Sequence, residues 1–283
     1  MNHPARILVA AFALVLLALG AWHWRDAWWP GGGAAPERAP AVAAVGEPPA
    51  PAPAAPASAA SGPVPVRHPI DAASAPPLPE PAPPTLEGAL AGLFGREALA
   101  TIFQTDDFAR RVVATVDNLG REKAPARLWP LHPPAGRFTT RRQATAGGEA
   151  EVLAADNFVR YARHMALVEK ADIGLVVALY KRFYPQFQQA YEELGYPGRH
   201  FNDRVVEVID LLVATPEPRE PVAVRLPSIQ GPVQPQRPWL LYEFADPAQQ
   251  ALPAGSQLML RMGPENQRRL KVRLLLLRRQ LVR

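Results

Sequence analysis

A chain of 283 residues with 34 prolines, no cysteine and a formal net charge of +5 has no disulfide framework, no Cys-ligated zinc or iron–sulfur cluster and no thiol nucleophile. Proline at about twice its average usage means that part of the chain is not globular, while the 48% of hydrophobic residues supply a core elsewhere.

Residues 1–29 read as a cytoplasmic tip and a membrane anchor. Ile7 to Trp22 is an unbroken apolar run, and His23 and Trp24 extend it to about 27 Å of helix. Trp22, Trp24, Trp28 and Trp29 form an aromatic belt just beyond it. The amino terminus and Arg6 precede the run, whereas Asp26 offsets Arg25 after it, so the charge asymmetry puts the N-terminus in the cytoplasm and the rest outside. A cleaved signal peptide is the rival, but Ala18-Leu19-Gly20 is a poor cleavage site.

Residues 30–84 hold 17 Pro and 17 Ala in 55 positions, with no aromatic residue and no periodicity. Such a stretch is expected to be a disordered linker with a polyproline II bias, because it cannot bury enough apolar surface to offset its ordering entropy.

Residues 85–283 are expected to form one mainly α domain. Thr85 opens a helical pattern weakened by Gly88, Gly92 and Gly95. Thr105 reads as the cap of a helix carrying Phe108, Val112, Val113 and Val116 and ending at Gly120. Residues 137–152 suit a short hairpin or a loop. Asp156 caps a helix to about Lys170, and Asp172 caps the best pattern in the chain, Val176 to Tyr191, which Pro185 should kink or divide. The aromatic series Tyr180, Tyr184, Phe187, Tyr191, Tyr196 and Phe201 fits core packing better than a ligand platform. Asn202 caps a helix to about Ala214, with Phe201 and Val206 at hydrophobic-staple spacing.

A proline-rich loop follows from 215 to 238, with a strand expected near Val222–Leu226 and a PxxP run that reads more simply as inserted loop than as a ligand. Short helices are expected over Tyr242–Ala251 and Ser256–Met262. Gly263-Pro264-Glu265 then starts a terminal helix. The last 26 residues hold 8 basic residues and 1 acidic one, so the positive charge of the chain is essentially one segment.

The common catalytic signatures, including the nucleophile elbow, HExxH, the P-loop and GxGxxG, are missing, and nothing calls for a cofactor. His200, Asp203, Glu207 and Asp210 form the one cluster suited to a divalent metal or to acid–base work, and hence to a hydrolase acting on envelope material. The simpler reading is a solvated helix face in which Arg204 pairs with Glu207. Glu192 and Glu193 sit at a helix end that disfavours them, so an arginine should meet them. On the terminal helix, Leu270, Leu274, Leu277 and Leu281 make a docking stripe. Arg268, Arg269, Lys271, Arg273, Arg278 and Arg279 are candidates for contact with anionic lipid or an acidic partner. Nucleic acid is the least favoured target outside a membrane.

Arg111–Leu119, Phe187–Pro197, Phe201–Arg204 with Val208–Asp210, Tyr242–Pro247 and Leu260–Asn266 together resemble a bacterial family, domain of unknown function 3014, in co-linear order over nearly all of 85–283. The resemblance implies a single-pass membrane protein with a proline-rich spacer and no activity, cofactor or catalytic residue. The stretch Arg225–Pro238 is longer than the family pattern. The expectation is therefore a protein of the bacterial inner membrane, held through residues 7–24, whose periplasmic helical domain is a non-enzymatic interaction or scaffold module with an envelope protein as partner.

Overall fold

The computed structural model describes residues 65–71, 83–145, 147–218, 221–228 and 236–282. The anchor expected at 7–24, most of the linker expected at 30–84 and much of the proline-rich loop lie outside the described residues. Among the described residues no helix is long and apolar enough to cross a membrane.

The described chain is mainly helical. Ten helices run in the order α1 (Leu86–Phe94), α2 (Arg96–Ile102), α3 (Phe108–Leu119), α4 (Asp156–Val159), α5 (Ala162–Lys170), α6 (Ile173–Glu193), α7 (Phe201–Ala214), α8 (Pro247–Gln250), α9 (Ala254–Arg261) and α10 (Pro264–Leu281). The strands β1 (Thr140–Thr145) and β2 (Gly148–Leu153) form a hairpin, and β3 (Val224–Arg225) pairs antiparallel with β4 (Glu243–Phe244). A bridge between Val152 and Ala223 joins the two small sheets.

The main core lies among α3, α6, α7, α9 and α10. Val112, Leu119, Phe201, Val208, Ile209, Leu212, Leu270 and Leu274 have no exposed surface there. The aromatic series is core, as expected. Tyr180 packs edge-on to Tyr184 at 5.5 Å, Phe187 stacks on Phe201 at 6.2 Å, and Tyr191 stacks on Tyr196 at 4.5 Å. A second, smaller core of Phe138, Leu153, Val222, Val224, Phe244 and Leu260 sits beneath the hairpin. It is roofed by Arg261, whose guanidinium lies over the rings of Phe138 and Phe244 and donates to the Tyr242 carbonyl at 2.7 Å. Burial pulls that guanidinium down to about 10, against the pull of Tyr161 and Glu243.

Several caps differ from the sequence reading. Gly95, at φ 78°, divides the first helical pattern in two. Asp107, not Thr105, precedes α3; it holds a left-handed φ of 51°, and the Phe108 amide closes a turn on the Thr105 carbonyl. The helix expected from Asp156 breaks at Arg160-Tyr161, so only one turn precedes α5. α6 runs unbroken through Pro185, because Phe183 and Phe187 are buried on either side and core packing outweighs the missing donor. His200 caps α7, which places Asn202 inside the first turn, fully buried. Tyr242–Ala251 is a strand followed by one helical turn rather than a single helix. The caps at Asp172 and Gly263 stand where the sequence put them.

His164 on α5 is the most buried of the described histidines, and its Nε2 donates to the His132 carbonyl at 3.2 Å while Nδ1 has no partner. Burial lowers its pKa; the His132 carbonyl opposes this and Arg163 adds to it. With the folded value below the unfolded value of about 6.5, the unfolded chain takes up the extra proton. The contribution of His164 is complete above that pH and is lost as pH falls toward the folded value. The denaturant midpoint is therefore expected to drop between about pH 7.5 and about pH 5.5, and His164→Gln should flatten that slope. An unchanged slope in the variant would assign the pH dependence to other groups.

Candidate functional site

The acidic cluster is spread over the cap and the first three turns of α7, and each of its three carboxylates has its own partner. Asp203 accepts from the backbone amides of Arg67 at 3.1 Å and His68 at 2.7 Å. The Asn202 side-chain amide donates to the carbonyls of His68 at 2.9 Å and Leu281 at 3.2 Å, and its oxygen accepts from the Tyr180 hydroxyl. Residues 65–71, inside the stretch read as linker, are thus strapped across the start of α7 and the last turn of α10, and Ile70 packs on the main core. Burial, followed by nearby Tyr184 and Asp203, pushes the Tyr180 hydroxyl well above its ordinary value, so it remains a proton donor.

Glu207 pairs with Arg204 at 2.8 Å, as the i+3 spacing predicts. Asp210 takes Arg278 of α10 in two hydrogen bonds, one at 2.9 Å. His200 caps the helix by backbone position, without a side-chain hydrogen bond to it. The helix face is therefore divided among a strap, a local ion pair and an interhelix clamp. Among the described residues no group of three or more His, Asp or Glu is placed to hold a metal ion.

One further network lies outside the sequence reading. Asp117 on α3, with 5% of its side chain exposed, pairs with Arg121 at 2.7 Å and Arg204 at 3.3 Å and accepts from the Tyr196 hydroxyl at 3.1 Å. Arg204 also donates to the Asp117 carbonyl at 2.7 Å. Tyr191 beside it is pushed up to about 12, first by burial and then by Asp117. The available signal was a lone carboxylate within an otherwise uncharged run, Val112 to Leu119, which requires a partner if the run is buried.

The basic helix is largely neutralised. Arg268 pairs with Glu265 and Glu217, Arg269 with Glu169, and Lys271 with the Thr215 carbonyl and Glu217. Arg273 donates to the Ala171 carbonyl and Arg278 to Asp210. Arg279 stands exposed.

Two adjoining clefts open beside the Arg110–Glu193 ion pair, which spans 2.6 Å between α3 and α6, so Glu193 meets the cation expected of it. They measure about 320 and 470 Å³ and share Asp107, Arg110, Ala190 and Glu193. Among the described residues Asp107 is the one non-glycine at positive φ, and such strain tends to mark functional surfaces. Leu194 on the rim is 44% exposed. Arg111 is occupied by the carbonyls of Asp106, Arg127 and Trp129.

A family model described as "Protein of unknown function (DUF3014)" matches residues 108–278. No curated protein and no solved structure matches the chain.

Proposed function

We propose that this chain, which belongs to the DUF3014 family of proteins of unknown function, is a membrane-tethered envelope protein whose helical domain works as a non-enzymatic interaction module. The observation that carries this reading is the contrast between its two surfaces. The residues best suited to acid–base or metal chemistry are engaged by a strap, a local pair and an interhelix clamp. The clefts between α3 and α6, by contrast, stay open, with apolar walls at Val113, Ala190 and Leu194 and charges at Asp107, Arg110 and Glu193. Such a surface suits a polypeptide that offers both apolar side chains and charge, as at the rim and centre of a protein interface.

A photo-reactive residue in place of Leu194, in the full chain and in cells, tests it. A discrete protein adduct is expected from Leu194, lost on Arg110→Glu and absent when the reactive residue replaces Glu149 on the hairpin. No adduct from Leu194 in a chain that accumulates normally would overturn the reading.

A further inference from the structure

We infer that the outer face of α10 is a bilayer-docking surface that lays the domain on anionic lipid. This rests on the membrane-tethered reading above. The stripe Leu270, Leu274, Leu277 and Leu281 is buried against the domain. On the opposite side Val272, Leu275, Leu276 and Val282 remain 58%, 40%, 38% and 37% exposed. With Arg268 and Arg279 they fall within an arc of about 120° at 3.6 residues per turn. Four large apolar side chains on one arc form a patch rather than scattered surface residues.

Charge selects the occupant. No acidic residue follows Glu265 in the helix. Arg279 is exposed, and the pairs of Arg268 and Arg269 are exposed ion pairs of the kind that exchange for phosphate at little loss. Lys271, Arg273 and Arg278 point back to the Thr215 and Ala171 carbonyls and to Asp210, so they take no part. A second copy of the face offers no acid to meet Arg279, whereas an anionic headgroup layer over an apolar interior matches both halves of the arc.

Chain continuity selects the same occupant. The Asn202 amide bridges the carbonyls of His68 and Leu281. The segment that leads back toward 7–24 therefore joins the domain beside the last turn of α10, with Val66 41% exposed there. The end of the helix nearest the tether is the end that carries Arg279 and Val282.

The absence of native cysteine permits a single label. The full chain with Leu276→Cys carries an environment-sensitive fluorophore and is placed in vesicles of phosphatidylcholine, with or without phosphatidylglycerol, containing a lipid-borne quencher. Quenching is expected in the anionic vesicles, much less in the neutral ones, and not from a label at Glu149→Cys. It should weaken with salt. The docked-to-undocked ratio should fall about fivefold with Arg279→Ala, the effect of one arginine near such a surface. A label that stays unquenched in anionic vesicles overturns the inference, as does quenching that is equal in neutral vesicles or protection that depends on protein concentration without lipid. Extraction by alkaline washing reads the anchor separately. A chain that washes off overturns the tethered reading, and quenching by added vesicles then still decides the docking.

Discussion

Replacing Asp117 by alanine is expected to destabilise the domain by about 3 to 5 kcal/mol, the usual cost of removing one partner from a buried ion pair. Its carboxylate is 5% exposed and faces the Arg204 guanidinium, itself only 16% exposed. Without it, Arg204 keeps the exposed Glu207 and a carbonyl, but its partly buried charge has lost its one buried counter-ion. The Tyr196 hydroxyl, which also meets Arg121, loses its acceptor. Arg121→Ala is the control. That side chain is 54% exposed, so its loss should cost less than about 1 kcal/mol. Denaturant unfolding of the two variants measures the difference, and a loss below about 1 kcal/mol for Asp117→Ala would mean that water screens the network.

Phe201→Ala is expected to cost a similar amount, about 3 to 5 kcal/mol. Its ring is fully buried between Phe187, at 6.2 Å, and Tyr191, at 5.5 Å, where α6 turns into α7. Truncation removes the ring's transfer energy and leaves a cavity among aromatic groups too large to close over it. Phe201→Leu, which fills more of that space, should lose about 1 to 2 kcal/mol. Equal losses for the two variants would show that the site collapses freely.

These two positions also mark how far the amino-acid sequence can be read. Phe201 was legible: an aromatic residue following a helical aromatic series fits core packing better than a ligand platform, and the core is where it lies. The same periodicity located α3, α6, α7 and the docking stripe of α10, because burial repeats along a helix. Asp117 was not legible, since its partners Arg204 and Tyr196 are 87 and 79 residues away, and only the fold brings them near. Asn202 looked like a cap because its residue type favours that position. It lies two residues past the cap, within the first turn, where the carbonyls of His68 and Leu281, both remote in sequence, take its amide. The basic terminal helix was read correctly as a helix with one docked stripe. Its charge was overestimated because Glu169, Asp210 and Glu217 come from other elements.

The strap at 65–71 has a mechanical consequence. A pull arriving from the N-terminal side does not reach α1 first. It meets the Asp203 carboxylate and the Asn202 amide, and through them the start of α7 and the end of α10. Those helices are buried in the main core, so tension enters the domain there. The α1–α2 pair, with Gly95 between its halves, is relieved of strain for as long as the strap holds.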